Sequence, residues 1–249
     1  EPMINVAVLG ASGRMGSHVV QAVEAADDLA MVAALDADDD VAAAARAQAE
    51  VAVDFTVPEA TEANVHALID AGLHAVVGTT GWTEESLARV EEHLRERPEL
   101  GVLIAPNFAI GAVLAMRFAA AAAPYFESAE VVELHHPDKV DAPSGTALHT
   151  ARGIAAARAS AGLPASPDAT THDPDGARGA SVDGVHVHAV RLRGLVAHEE
   201  VLFGNAGEAF TIRTDSFDRV SFMPGVLLGV REVARHPGLS VGLDRYMSL

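Results

Sequence analysis

The stretch INVAVLGASGRMGSHVVQAVEAADDLAMVAALD, residues 4–36, decides the fold. Residues 4–10 form a short, mostly apolar run that ends in glycine, which indicates a buried strand. Apolar residues then recur at helical spacing over 14–26, and a second apolar run ends at Asp36. A strand, a turn, a helix and a second strand in this order predict a βαβ unit.

The same alternation continues to about residue 108. Further strands are predicted at 51–56, 74–81 and 101–108, and further helices at 58–72 and 83–97. Pro58 stands near the start of one helix and Gly72 follows its end, which is the usual placement of these two residue types. Repeated βα units predict a Rossmann-type, doubly wound parallel sheet, so the fold class is α/β.

Beyond residue 109 the pattern changes, and we expect a second, α+β domain with a mixed sheet. Helices are predicted at 111–126, 144–161 and 223–236, strands at 129–136, 185–194, 197–205 and 208–216, and a loop at 163–184. We therefore assign 1–108 and 219–249 to a dinucleotide-binding domain. Residues 109–218 are assigned to a substrate-binding and oligomerisation domain.

The turn GASGRMG, residues 10–16, lies between the first strand and the first helix. Glycine lets main-chain N–H groups approach a pyrophosphate, and a helix start adds partial positive charge. The predicted cofactor contacts here are Gly10, Ala11, Ser12, Gly13, Arg14 and Met15. Ser12 departs from the common G-x-G-x-x-G spacing, so a tight turn that binds nothing is the alternative.

Asp36 ends the second strand, where an acid can accept both hydroxyls of an adenosine ribose. A 2′-phosphate would face this carboxylate, and Ala37 stands where an arginine would favour that phosphate. Arg14 and Ser12 could partly offset the repulsion. We therefore expect NADH as cofactor, with NADPH tolerated.

Composition narrows the possible functions. The formal net charge of −18 argues against nucleic acid as a partner, and the absence of cysteine excludes thiolate nucleophiles and disulfides. The longest apolar run, FAAAAAPYF, is too short to span a bilayer, and no basic segment precedes an apolar one at the start. We expect no membrane partner, no signal peptide and a cytoplasmic location.

The segment ELHHPDKVDAPSGTA, residues 133–147, concentrates titratable side chains. Lys139 is the only lysine among 17 basic residues, and it lies close to the adjacent His135 and His136. Lysine can give up a proton and arginine effectively cannot, so this placement predicts a chemical role. The alternative is an ordinary surface lysine. Ser144 can cap the following helix and leave free N–H groups for an anion.

We predict no metal here. Candidate ligands are His135, His136, Asp138, Asp141 and His149. Adjacent histidines on a strand point to opposite faces, and a lysine among them opposes a cation.

The motifs GASGRMG, VGTTG, APNFAIGA and ELHHPDKVDAPSGTA together resemble the 4-hydroxy-tetrahydrodipicolinate reductase (dihydrodipicolinate reductase) family over essentially the whole chain. The resemblance implies NAD(P)H-dependent reduction of 4-hydroxy-tetrahydrodipicolinate, a small dicarboxylate, to tetrahydrodipicolinate in the diaminopimelate route to lysine. It also implies a homotetramer assembled through the second-domain sheets.

The resemblance assigns residues as well. It implies that His135 performs acid–base catalysis and that Lys139 donates a proton and binds an anion. Substrate carboxylates would contact His136, Ser144, Gly145 and Thr146. The nicotinamide would contact Gly78, Thr79, Thr80, Ala105, Pro106, Asn107 and Phe108.

The motifs favour this family over three other functions. Semialdehyde dehydrogenase shares this domain order but needs a cysteine, which the chain lacks. Another Rossmann-type imine or amino-acid dehydrogenase would not need His-His-x-x-Lys followed by Ser-Gly-Thr. A nicotinamide-sensing protein without activity would give Lys139 no purpose.

Overall fold

The computed structural model describes residues 2–249. The chain forms two compact units, one containing the chain up to Ala109 together with Arg219–Leu249, and the other Ile110–Asp218. The strands are β1 Ile4–Leu9, β2 Leu29–Leu35, β3 Val51–Asp54, β4 His74–Val77, β5 Gly101–Ile104, β6 Ser128–His135, β7 Ala180–Val182, β8 Val185–Arg191, β9 Ala197–Asn205, β10 Glu208–Ser216 and β11 Gly238–Val241. The helices are α1 Arg14–Ala25, α2 Ala43–Arg46, α3 Pro58–Asp70, α4 Glu84–Leu94, α5 Ile110–Ala122, α6 Gly145–Ser160 and α7 Met223–Glu232.

The first unit is built on a six-stranded sheet in the order β11-β5-β4-β3-β1-β2, and every strand pair in it is parallel. All residues of β3, β4 and β5 are buried except His74, because helices cover both faces of such a sheet. The predicted Rossmann-type parallel sheet is confirmed. The chain reverses its direction of winding between β1 and β3, where α/β folds bind ligands at the carboxyl ends of strands.

The second unit contains a five-stranded sheet in the order β10-β9-β6-β8-β7. The β6–β8 pair is parallel and the other pairs are antiparallel, which confirms the predicted mixed sheet. One face packs on α5 and α6, where Val131, Val201 and Phe203 meet Ala151 and Ile154 in a single buried cluster. Alternation therefore sends every second residue of β6 toward these helices.

Two short strands were not predicted. β11 adds a sixth strand beside β5, and β7 lies inside the segment predicted as a loop. The helix predicted at 83–97 ends at Leu94, although its start is as expected: Thr83 Oγ1 accepts the Ser86 N–H at 3.1 Å in a reciprocal capping box. Across residues 2–249, no helix is both long and apolar enough to cross a membrane.

Candidate active site

The glycine turn brings the end of β1 against the end of β3. Gly10 has φ +80°, and a Cβ there would lie 2.1 Å from the main-chain oxygen of Phe55. A Cβ on Gly16 would lie 1.8 Å from the oxygen of Gly10. Glycine is required at both positions, because no side chain fits such contacts. The turn thus keeps the start of α1 close to the carboxyl ends of the strands.

The start of α1 is open to an anion. Arg14 is its first residue, Gly13 is its N-cap, no side chain caps it and its first turn contains no acid. Ala11 donates its N–H to the oxygen of Leu35 at 3.1 Å, which ties the turn to the end of β2. Met15 is half-buried in the same helical turn. The uncapped N–H groups and the helix dipole make this a suitable phosphate site.

Asp36 lies against this turn, as predicted. Its Oδ1 accepts the Ser12 N–H at 3.0 Å and the Ser12 hydroxyl at 2.8 Å. These two hydrogen bonds, the main-chain one first, lower the pKa of the exposed carboxyl below its ordinary value. An ionised acceptor at the end of β2, beside this candidate phosphate site, is what a ribose diol requires.

The end of β3 has a buried acid that was not predicted. Asp54 is fully buried, and its Oδ1 accepts hydroxyl hydrogen bonds from Thr56 at 2.7 Å and from Thr79 at 2.8 Å. Its other oxygen accepts from Thr61 and Asn64, each at 3.3 Å. The carboxylate therefore joins the ends of β3 and β4 and fixes Thr79, a predicted cofactor contact.

The Phe55 ring lies close to both Gly78 and Phe108. A Cβ on Gly78 would lie 2.0 Å from the Phe55 ring, and the Phe55 and Phe108 rings are 5.8 Å apart. Trp82 donates its indole N–H to the Thr79 oxygen at 3.1 Å and packs on the core. The ends of β1, β3, β4 and β5 thus form one connected edge.

The remaining predicted cofactor residues lie on this edge. Thr80 and Pro106 are exposed, Asn107 is half-buried, and Ala105 and Phe108 are buried. Asn107 Oδ1 accepts the Ala109 N–H at 2.8 Å, which orders the loop after β5. Of these five residues, Thr80 and Pro106 are the exposed ones that a ligand at the sheet edge could reach directly.

The second unit places the histidine–lysine segment around a buried acid, Glu133. The Glu133 carboxylate is inaccessible to solvent and receives both Arg191 Nη atoms, at 2.7 and 2.9 Å. It also contacts His135 Nδ1 at 2.6 Å and accepts the Ser144 N–H at 3.0 Å. Burial alone would raise the pKa of Glu133, but these donors hold it below its ordinary value. Glu133 is therefore an ionised centre of the site.

His135 and Lys139 have different partners: His135 contacts the buried Glu133, and Lys139 pairs with the exposed Asp141. Burial is the largest influence on His135 and lowers its pKa, and Lys139 adds to this, while Glu133 acts in the opposite direction. Lys139 Nζ forms an ion pair with Asp141 Oδ1 at 2.7 Å and is partly exposed. His136 and Asp138 are exposed. The adjacent histidines thus differ in burial: His135 ends β6 and is partly buried, and His136, just beyond the strand, is exposed.

The Ser-Gly-Thr turn opens α6 beside Glu133. Ser144 Oγ accepts the Ala147 N–H at 3.1 Å, which confirms the predicted cap. A Cβ on Gly145 would meet no atom within 4 Å, so space is open there. Thr146 occupies the first turn of the helix. A helix start next to open space can bind a carboxylate.

A second buried acid, Glu199, was also not predicted. It is the cross-strand partner of Glu133 and is 5% exposed. Its Oε2 accepts the Thr150 hydroxyl at 3.2 Å, and within residues 2–249 its Oε1 has no hydrogen-bond partner. Burial, and less strongly the charge of Glu133, raise the pKa of Glu199 to about 7.

The matching family models and the similar proteins carry the name of the same reductase. Residues 4–108 match the family model of dihydrodipicolinate reductase, N-terminus, and residues 111–247 match that of dihydrodipicolinate reductase, C-terminus. A 4-hydroxy-tetrahydrodipicolinate reductase of Beutenbergia cavernae is 70% identical over 99% of both chains. One from Streptomyces coelicolor is 60% identical over 99% of this chain and 98% of the relative.

Solved structures agree with this result. The dipicolinate-bound dihydrodipicolinate reductase from Paenisporosarcina sp. TG-14 has a TM-score of 0.89 at 37% identity, covering 98% of this chain and 100% of that one. A probable dehydrogenase from Thermotoga maritima shares the fold alone, with a TM-score of 0.64 at 11% identity and coverage of 98% and 92%. Two matching family models and full-length relatives leave a single assignment: the chain belongs to the 4-hydroxy-tetrahydrodipicolinate reductase (dihydrodipicolinate reductase) family.

Proposed function

We propose that this protein reduces 4-hydroxy-tetrahydrodipicolinate to tetrahydrodipicolinate with NAD(P)H, in the diaminopimelate route of lysine biosynthesis. The predicted dinucleotide-binding domain, residues 1–108 with 219–249, binds the nicotinamide cofactor. The predicted substrate-binding domain, residues 109–218, binds the substrate. Family membership supports the reaction, and the groups around Glu133 support the chemistry.

The glycine turn and the edge of the first sheet fit a dinucleotide. The uncapped start of α1 suits the pyrophosphate, and Asp36, already held by Ser12, has a second oxygen for the ribose. The nicotinamide contacts are the loops at Gly78–Thr80 and Ala105–Phe108. Because Ala105 and Phe108 are buried, they contribute main-chain atoms and the shape of the loop rather than exposed side chains. When bound, the nicotinamide supplies a hydride. NADH is the expected cofactor and NADPH is tolerated.

The second unit supplies cationic and N–H groups for a ring with two carboxylates. One carboxylate binds Lys139 in place of Asp141, and the other binds the N–H groups of Gly145 and Thr146 with the Ser144 hydroxyl nearby. His136 is exposed and adds a contact. A local cationic pocket is needed because the chain has a net charge of −18.

The reaction needs a proton from the protein. The 4-hydroxyl leaves as water, and the hydride then forms the new C–H bond at C4 of the conjugated ring. The displaced electron pair moves toward the ring nitrogen, and a proton from His135 or Lys139 neutralises it. General acid catalysis of this type contributes about 10²–10⁴-fold in rate.

Assembly through the second sheet is part of the proposal. The open sheet face, which is the face opposite α5 and α6, holds the ion pairs Arg178–Glu130, His188–Glu130 and Arg213–Glu200. Leu202, on the same face, is 38% exposed. A broad face with mixed charges and apolar surface suits contact with a second copy, so we propose a homotetramer. A cytoplasmic location agrees with its use of reduced nicotinamide.

The convergence of His135, Arg191 and the Ser144 turn on Glu133, beside Lys139, carries the proposal. The test is NADH oxidation by the purified protein with the condensation product of pyruvate and aspartate semialdehyde. We expect saturable oxidation that requires this product. Oxidation with other imines or 2-oxo acids alone would instead favour a different dehydrogenase, and NADH binding without oxidation would favour a sensor.

A further inference from the structure

We propose that Glu133 is a positioning residue, which holds His135 in one tautomer and the Ser144 turn in one place, so that His135 presents Nε2 to the substrate. The proposal rests on the proposed function for the identity of that substrate. The orientation of His135 itself is a property of the protein without ligand.

The contacts of Glu133 define the tautomer. A carboxylate accepts hydrogen bonds and does not donate them, so the 2.6 Å contact requires a proton on His135 Nδ1. In the neutral ring, Nε2 is then the unprotonated nitrogen. Within residues 2–249, Nε2 of His135 has no hydrogen-bond partner. The ring therefore has one nitrogen fixed by the protein and one left for chemistry.

The same carboxylate fixes the anion-binding turn. Glu133 Oε1 accepts the Ser144 N–H at 3.0 Å, directly before the start of α6. Arg191 holds both carboxylate oxygens and also donates to the main-chain oxygen of Asp141 at 2.7 Å. Arg191 thereby reaches the residue that pairs with Lys139. The buried Glu133–Arg191 ion pair thus connects the three predicted functional elements of this unit, which are His135, the Ser144 turn and the Lys139–Asp141 pair.

A purely structural ion pair would not require this arrangement. Arg191 alone would neutralise Glu133, and any main-chain donor would satisfy its remaining oxygen sites. Here the additional donors are a predicted catalytic histidine and the turn predicted to hold a carboxylate. This coincidence distinguishes a positioning role from structural stabilisation.

Glu199 is a second buried acid whose contacts differ from those of Glu133. It is also buried on the same sheet face, directly opposite Glu133, but its carboxyl group has a single donor, the Thr150 hydroxyl. It contacts neither His135 nor the Ser144 turn in the described residues. Glu199→Gln is therefore a matched control for Glu133→Gln, because both remove a buried carboxyl group from neighbouring positions.

The charged groups around His135 give a pH signature. Glu133 stabilises its protonated form, whereas Lys139 and Arg191 oppose it. Asp141 faces Lys139 and Arg191, and Glu199 faces Glu133. Loss of the Glu133 charge leaves the opposing cations, so His135 releases its proton at lower pH. The decline of kcat at high pH, which follows the loss of this proton, then occurs at lower pH. This decline is the high-pH limb of the kcat profile.

The test combines ¹⁵N NMR of histidine side chains with pH-dependent kinetics on the full chain. We expect His135 of the unligated wild-type protein to carry its proton on Nδ1. Glu133→Gln should shift the population toward Nε2–H, lower kcat at least tenfold and move its high-pH limb to lower pH. Glu133→Asp, which retains the charge, should restore the limb, and Glu199→Gln should leave the tautomer unchanged.

Three results would overturn the proposal. One is an Nε2–H tautomer in the wild-type protein, a measurement that requires no variant to fold. The second is an unchanged tautomer and an unchanged pH limb in Glu133→Gln, and the third is a pH limb that Glu133→Asp does not restore. A wild-type protein with the Nδ1–H tautomer but without turnover would contradict the proposed reaction while supporting the orientation by Glu133.

Discussion

Lys139 Nζ lies 2.7 Å from Asp141 Oδ1, although neither side chain is buried: the two are 22% and 53% exposed. Every other basic residue of the chain except histidine is arginine. A partly exposed ion pair contributes little to stability, so it can exchange one carboxylate for another at small cost. In our account a substrate carboxylate takes the place of Asp141.

Replacing Lys139 tests its chemical role. Lys139→Ala and Lys139→Arg should both lower kcat, by about 10²–10⁴-fold for alanine, because arginine keeps the charge but cannot release a proton. Steady-state kinetics measure this, with NADH affinity from nucleotide fluorescence as a second readout. Asp138→Asn, at an exposed neighbour, is the control and should behave as wild type. An equal loss of NADH affinity would argue against separate cofactor and substrate contacts.

Removing the competing carboxylate should strengthen anion binding. Asp141→Asn is expected to bind pyridine-2,6-dicarboxylate about two- to fivefold more tightly, since an exposed ion pair is worth about 1 kcal/mol or less. Isothermal titration calorimetry provides the comparison. Asp138→Asn removes an equal charge nearby and controls for long-range attraction. Identical affinities for the two variants would mean that Lys139 does not bind this dianion.

Asp36 should set the preference between cofactors. Asp36→Ala is expected to weaken NADH by roughly ten- to a hundredfold, because hydrogen bonds to a charged acceptor are lost. NADPH should bind unchanged or more tightly, since its phosphate no longer faces a carboxylate. Dissociation constants for both nucleotides measure this, with Asp38→Ala, at an exposed neighbouring acid, as control. A uniform loss for both cofactors would remove the assignment of Asp36 to the ribose.

Glu199 should make stability depend on pH. Its pKa is raised from 4.5 to about 7, so between these values the folded protein keeps a proton that the unfolded chain has released. The free energy of unfolding therefore falls as pH rises through this window and levels off above it. At about 1.4 kcal/mol per pKa unit, the loss is of order 3 kcal/mol.

Glu199→Gln removes this contribution. Relative to wild type, the variant should gain stability steadily from about pH 5 to about pH 8, as measured by urea unfolding at each pH. Carboxylates that do not interact with Glu199 contribute equally to both proteins and cancel. Parallel curves for the two proteins would show that Glu199 is ionised in the folded state.

Much of the fold follows from the sequence because its signals are local. The run before Gly10 and the turn after it predicted β1 and α1, and Asp36 was expected at the strand end where it lies against Ser12. β11 was missed because four residues, GLSV, carry no clear alternation and gain their place only by pairing with β5. β7 has three residues and pairs with β8 in the same way.

The buried acids of the site could not be predicted with the same ease. His135, His136 and Lys139 stand out in composition, whereas Glu133, Glu199 and Asp54 occupy ordinary strand positions. A usable signal did exist for Glu133: alternation places it on the face of Val131 and His135, so the strand directs it inward. Its partner Arg191 is 58 residues away in sequence, and that pairing requires the folded sheet.

The most direct test of the central claim is to follow the hydride. The purified protein is supplied with NADH deuterated at the transferred position and with the condensation product of pyruvate and aspartate semialdehyde, and the ring product is analysed by mass spectrometry. We predict tetrahydrodipicolinate one mass unit heavier, formed in equal amount to NAD⁺, at a rate that Lys139→Ala lowers by about 10²–10⁴-fold. NADH consumption without deuterium in the ring, or equal rates of product formation by both proteins, would contradict this reaction and the role of Lys139.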